Sequence, residues 1–294
     1  MQFPNLARHA AACACLLAAG ATHAATLVGL TSANQVALID TANVAAATMT
    51  AITGLAAGDR FVGIDLRPTD NRIYGITLSN AVYTLDATSG AATFVVALSG
   101  ATVSPSLAYG IDFNPVADYA GTASLRFISS AGANLAVNVA TGVAGNSANT
   151  IASGYTSVAY SNSGPTTPAS TALYYIDSRN DTLSMASSAF NTPTINVVGS
   201  LGLDVLNAGG FDILASGQAY AALLTDGGTA NSGIYSINLN TGAASLLGSF
   251  NGTLTGLTAA PVPEAGSWAL MAGGLLAVGG LVRRRQARAG RTPV

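Results

Sequence analysis

Three aspartates occupy one position of a recurring phrase: Asp65 in "FVGIDLRP" (61–68), Asp112 in "LAYGIDFNP" (107–115) and Asp212 in "GGFDIL" (209–214). Carboxylates brought together from distant parts of a chain can hold a hard cation through oxygen ligands, and calcium is the natural candidate. The competing reading, and the preferred one, is structural. Each Asp accepts a hydrogen bond from a neighbouring backbone amide at a strand end, a role repeated because the unit is repeated. Ala159 and Thr258 fill the same slot in two further copies, which excludes a symmetric ring of five carboxylates.

Other chemistries find less support. Paired carboxylates can cleave glycosides, but no spacing selects a pair, and Glu264 is the one glutamate of the chain, so the pair would be two aspartates. No catalytic residue is assigned, and the chain reads as a binding or structural protein in preference to an enzyme. Arg67, Asp70 and Arg72 flank the turn "RPTDNR". They form either a recognition loop or, preferably, a solvated turn with weak ion pairs. Tyr74, Tyr83, Tyr174, Tyr175 and Tyr235 fall on strand-like runs; packing between sheets is preferred for them over stacking on sugar rings.

The elements that must position these residues repeat along the chain. Gly63, Gly110, Ser157, Gly210 and Gly256 mark equivalent points separated by 47, 47, 53 and 46 residues. Each copy continues with a second strand ("RIYGIT", "LRFISS", "ALYYID", "AYAALL") and then a hairpin whose turn ends in glycine, at 87–90, 139–142 and 239–242. Such turns need a positive φ. Four short strands per repeat predict the blade of a β-propeller, and no helix is signalled between 26 and 260. The first copy lacks its opening strand, and the last, "LTGLTAAP", has nothing but that strand. Pairing the N-terminal strands with the strand at 254–260 would close an all-β, five-bladed ring and remove two sheet edges. A sandwich or an open solenoid leaves the complementary strands unexplained.

Composition narrows the setting. Half of the 294 residues are apolar and 8% are charged, the reverse of a disordered chain. There is no lysine, and residues 25–265 carry five arginines against twelve aspartates and one glutamate. An acidic body repels phosphate backbones and argues against nucleic acid as a partner. The first 24 residues read as a signal peptide, with Arg8, an apolar run and small residues for signal peptidase after Ala21 or Ala24. Its removal takes both cysteines and leaves at most His23, so Cys/His metal sites and Ser-His or Cys-His catalysis have no residues to use. A β-domain is expected over 25–260. The segment 261–294 contains a charge-free stretch, 266–282, near the lower limit for a transmembrane helix, followed by an Arg-rich tail.

The order Val262-Pro263-Glu264-Ala265, an apolar helix, then Arg283-Arg284-Arg285 resembles the PEP-CTERM sorting signal of Gram-negative bacteria. Val-Pro-Glu-Ala departs from the family's Pro-Glu-Pro at the third position. The resemblance implies an exosortase as processing partner, a transient stay in the inner membrane, and delivery to the cell surface or an exopolysaccharide matrix. The body, through "ITGLAAGDRFVGIDLRPTDNRIYGI", "GIDFNPVAD", "ALYYIDSRNDTL" and "YSINLNTGAASLLG", is similar to the bacterial family catalogued as domain of unknown function 4394. It departs after Asp118, where "YAGTAS" reads as an insertion before Leu125 and Arg126. That resemblance supports the fold and implies no chemistry.

The expected function is therefore a non-catalytic binding or structural role in an exopolysaccharide or biofilm layer; the alternative is an extracellular carbohydrate-active enzyme with an Asp pair. Altering Pro263 and Glu264 together should strand the protein in the inner-membrane fraction, and release at the ordinary rate would refute the sorting reading.

Overall fold

Short runs rich in β-branched and aromatic residues, cut by turns bearing Asn, Asp and Gly, leave each segment long enough for one strand only. The computed structural model describes residues 24–225 and 230–262. β1 (Thr26–Thr31), β2 (Gln35–Asp40) and β3 (Thr48–Ala51) open the chain. The second blade is β4 (Phe61–Arg67), β5 (Arg72–Thr77), β6 (Ala81–Leu85) and β7 (Ala92–Ala97), and the third is β8 (Tyr109–Phe113), β9 (Ser124–Ser129), β10 (Asn134–Asn138) and β11 (Ala144–Gly145). The fourth comprises β12 (Tyr155–Tyr160), β13 (Leu173–Asp177), β14 (Thr182–Ala186) and β15 (Asn196–Ser200). The fifth comprises β16 (Val205–Ile213), β17 (Ala219–Thr225), β18 (Gly233–Ile237) and β19 (Ala244–Ser249), and β20 (Leu254–Ala259) ends the series.

These strands form five antiparallel four-stranded sheets, a five-bladed β-propeller. β20 returns to pair with β1, Val28 standing opposite Thr258 and Leu30 opposite Gly256. Blade 1 thus has the order β20-β1-β2-β3, and the expected closure is present. The first strands β4, β8, β12, β16 and β20 each touch the next around the axis, and β20 touches β4.

Burial falls from axis to rim. Every residue of β8 and β12 is buried, whereas β7 and β15 are mostly exposed. The core lies between blades. Tyr74 and Ile76 of blade 2 pack on Ile111, Phe113 and Leu125 of blade 3, with the Tyr74 and Phe113 rings edge to face at 5.5 Å. Each such large side chain contributes about 1.5–3 kcal/mol by leaving water.

Two local features depart from expectation. A short helix, α1 (Pro115–Tyr119), stands where none was signalled. Asn114 caps it by accepting the Ala117 amide at 3.1 Å, and Pro115 opens its first turn; that cap and proline are its sequence signature. The insertion after Asp118 completes this turn and leaves β8 and β9 in register. Blade 4 also lacks the tight glycine turn and joins β14 to β15 through the longer segment 187–195.

The turn glycines do more than reverse the chain. Gly142 has φ +74°, and a Cβ there would fall inside contact distance of the Ala97 carbonyl oxygen in blade 2. The turn docks on the neighbouring outer strand through Ser99 N–H to Gly142 O at 2.9 Å and Ala144 N–H to Ser99 O at 2.8 Å. Gly90 and Gly242 repeat this at two other junctions.

Among the described residues no helix is long and apolar enough to cross a membrane. The signal segment up to residue 23, Pro263, Glu264, Ala265, the span 266–282 and Arg283, Arg284 and Arg285 lie outside the described residues. Gly142→Ala should lower unfolding free energy by at least about 2 kcal/mol through strain plus a blade-to-blade clash. Gly217→Ala, at φ +83° with open space around it, should cost only about 1 kcal/mol. Urea titration of both variants checks this, and equal losses would remove the docking role.

Candidate functional site: the axial aspartates and the mouth above them

The site begins with the anchor glycines. A Cβ on Gly110 of β8 would lie 2.7 Å from the Cα of Ser157 on β12. The first strands of blades 3 and 4 therefore meet backbone to backbone, as do those of blades 5 and 1, where a Cβ on Gly210 would fall inside contact distance of the Leu257 nitrogen; Gly63 and Gly256 make room instead for the Ile111 and Ile64 side chains. The axial edges of the first strands have no further strand to pair with, so their amides need acceptors from side chains.

Asp65, Asp112 and Asp212 supply them, two positions after the anchor. Asp65 accepts the Phe113 amide of blade 3 at 2.7 Å. Asp112 accepts the Tyr160 amide of blade 4 at 3.0 Å, and Asp212 accepts the Ala259 amide of blade 1 at 2.6 Å. Thr258, in the same slot of blade 1, accepts the Leu66 amide of blade 2 at 2.9 Å. Each slot residue thus latches the following blade. Ala159 offers no acceptor, and the corresponding amide, Ile213, turns to the carboxylate of Asp212 beside it. The aspartates do accept backbone amides, as the structural reading expects, and each has a partner in the next blade.

The cluster forms as well. One carboxylate oxygen from each of Asp65, Asp112 and Asp212 lies within 4.8 Å of the others, and all three residues are buried. Thr258 bridges two of them, its hydroxyl standing 2.9 Å from Asp65 Oδ1 and 3.1 Å from Asp212 Oδ2. One hydroxyl carries one proton and donates to one acceptor at a time, so a proton or a cation must satisfy the rest. Burial is the main force raising all three carboxyls above the ordinary range: Asp65 is pushed well up by burial and then by Asp212, Asp112 by burial and then by Asp65 and Asp212, and Asp212 by burial against the pull of its amide donors. Both oxygens of Asp65 are committed to donors, whereas among the described residues one oxygen of Asp112 has a donor. The donor set, all oxygen and anionic when ionised, fits a hard cation.

Above the cluster opens a cavity of about 690 Å³. Asp65 and Asp212 lie at its floor, and Pro68, Pro165, Leu214 and Pro261 contribute to its walls. Among the described residues no aromatic side chain lines it. The chain leaves β20 along the rim, where Asn71 clasps Val262 through Nδ2–H to the Val262 carbonyl at 2.6 Å and Val262 N–H to Oδ1 at 3.1 Å. Of the sorting residues named above, Val262 alone is described, and it is exposed.

Arg67 also borders the mouth, and the solvated-turn expectation is corrected there. Its guanidinium donates through Nε to Asp118 at 2.8 Å and lies 3.2 Å from Asp70. It sits over the Tyr74 and Phe113 rings at 5.8 and 5.9 Å. Asp118 is buried, because α1 of the next blade carries it there, and it also accepts the Thr69 hydroxyl at 2.7 Å. The turn is thus an inter-blade anchor. The tyrosines do pack inward: Tyr74, Tyr83 and Tyr175 are buried, and Tyr174 and Tyr235 lie against the core between blades 4 and 5. Sequence reading treated Thr258 as a break in the carboxylate pattern, and nothing in the chain order revealed it as the bridge.

A carboxyl raised by folding stabilises the protein fully below its unfolded value and ceases to do so as pH climbs through the folded one. Without divalent cations, wild-type melting temperature should therefore lose ground relative to Asp112→Asn as pH rises from about 4 to about 8. The variant keeps an acceptor for the Tyr160 amide and removes the charge. Melting curves across that range test this, and a difference constant in pH would show that Asp112 carries no shifted proton.

Comparison with solved structures finds distant likenesses. Regucalcin from Agrobacterium tumefaciens, titled a calcium-binding protein, is 11% identical at a TM-score of 0.39, with 75% of this chain and 68% of that chain covered. A protein of unknown function from Bacteroides thetaiotaomicron is 13% identical at a TM-score of 0.47, over 76% of this chain and 57% of its own. One from Bacteroides caccae is 10% identical at 0.40, over 78% and 73%. At such scores none of them bears on ligand or chemistry. No curated protein matches the chain. The model of the family described as domain of unknown function (DUF4394) matches residues 35–258, and the chain belongs to that family.

Proposed function

We propose that this is an exported, non-catalytic binding protein of a cell-surface or exopolysaccharide layer, and that the axial mouth receives a neutral segment of that polysaccharide. The observation that carries the reading is the cavity of about 690 Å³ floored by Asp65 and Asp212. Its size is that of a small-molecule site. Proline and aliphatic walls suit the C–H faces of sugar rings, and the carboxylates suit their hydroxyls. The acidic body disfavours polyanions unless a cation bridges them. Calcium on the axial aspartates is part of this reading, where it would take over the neutralising task of the protons. Export by signal peptidase and exosortase supplies the setting.

A hydrolytic role has one observation in its favour. The axial carboxylate oxygens lie within 4.8 Å of one another, near the roughly 5–5.5 Å of retaining glycosidases. Against it, these carboxylates hold the blades together, and an acid that shuttles protons would loosen its own latch at each turnover.

Retention of the purified protein on matrix polysaccharide tests the proposal. Ala215→Trp, at an exposed position of the cavity lining, should lower retention at least about tenfold, the scale of a lost 1.4 kcal/mol, with an unchanged melting temperature. Equal retention by the variant would place binding elsewhere. Release of shorter saccharides would favour the enzyme, and indifference of both retention and melting temperature to calcium and chelator would remove the cation.

A further inference from the structure

The interface between blades 3 and 4 differs from the other four. Elsewhere the cores of the facing sheets are aliphatic and aromatic, and the guanidinium that borders one of them, Arg67, has its counter-charge in Asp118. Here the face of blade 3 carries Arg126 on β9 and Asn134 on β10, and the face of blade 4 carries Tyr160 on β12 and Tyr175 on β13. Arg126 is 4% exposed, so its charge lies out of water. All of its hydrogen-bond partners are neutral: Tyr160 Oη at 3.4 Å from Nε, Asn134 Oδ1 at 3.0 Å from Nη1, and Asn191 Oδ1 at 3.0 Å from Nη2. Among the described residues it makes no ion pair. Asp112 stands opposite it in the β8–β9 register, but the two form no ion pair, and the Asp112 oxygen serves the Tyr160 amide.

A buried guanidinium without a counter-charge is among the most unfavourable arrangements a fold can contain. A second observation points the same way. The Tyr175 hydroxyl, fully buried and near enough to Arg126 to feel its charge, has no hydrogen-bond partner. A lone donor beside an uncompensated cation is what an anion site offers. The cover over Arg126 is the segment joining β14 to β15, 187–195, which stands in place of a tight glycine turn. Phe190 sets its ring edge-on to Tyr160 at 5.0 Å, and Asn191, itself exposed, places its amide oxygen on Nη2. The main chain of this cover is held by Asn134 Nδ2–H to Phe190 O at 3.1 Å and by Asn146 Nδ2–H to Asn191 O at 2.9 Å. The Asn191 side chain can therefore turn away while its backbone stays.

We propose that the seam between blades 3 and 4 binds a small monovalent anion, of halide or formate size, on Arg126, with the Asn191 side chain as its cover. The anion takes the place of the Asn191 oxygen at Nη2 and gives the guanidinium its missing charge. The site is separate from the axial mouth, and its occupancy stabilises the ring without touching the polysaccharide reading.

The test compares purified protein in bromide and in gluconate at constant ionic strength. Bromide should raise the wild-type melting temperature by roughly 4–7 °C at roughly twenty times its dissociation constant. Asn191→Asp supplies a carboxylate in place, so it should melt higher than wild type in gluconate and respond to bromide little or not at all. Arg126→Met should lose the response as well; because that change is buried, the surface variant keeps the test intact if it fails to fold. Anomalous scattering should place bromide beside Arg126. A wild-type protein indifferent to bromide, a response equal in wild type and Asn191→Asp, or bromide scattering only elsewhere would overturn the proposal.

Discussion

The structure depends on how closely its first strands converge. Where Gly110 faces Ser157, two backbones touch with no side chain between them. First strands drawn around one axis leave their axial amides without sheet partners. The slot residue two places after the anchor answers that demand, by carboxylate in three blades and by hydroxyl in blade 1. Sheet order, ring closure and the acidic cluster all follow from one spacing repeated around an axis.

Structural and ligand-binding roles for the aspartates therefore do not compete. A carboxylate that reaches across to the next blade must point toward the axis, and three that do so must approach one another. The latch accounts for each residue separately; the cluster is what the ring makes of them together. Its consequence is electrostatic, because three acids in a buried space cannot all ionise unaided. Protons or a cation must share that space, and Thr258 can relieve one contact only.

The ring is not uniform, and blade 4 departs from the repeat on both of its sides. Blade 4 has alanine in the latch slot and, like blade 1, joins its outer strands without a glycine turn. Its interface with blade 3 contains the buried Arg126 and a tyrosine-rich core. The polar seam and the missing latch are neighbours, so the least hydrophobic interface is also the one whose outer cover is built from asparagines.

Repetition made the architecture legible. A glycine recurring every 46 to 53 residues and a split first repeat are local, countable signals, and they determined strand order, blade number and closure, since a sheet cannot leave its edge strands unpaired without cost. Asn114 and Pro115 are a local signature of α1 as well. Distance along the chain concealed the rest. Thr258 and Asp65 are 193 residues apart, Arg67 finds Asp118 on the next blade, and Arg126 meets Asn191 across a junction that breaks the repeat. The order of residues sets which groups exist and how often they recur; only the closed ring decides which of them share a space. Burial in that space then decides whether a carboxyl stays neutral or a guanidinium wants an anion.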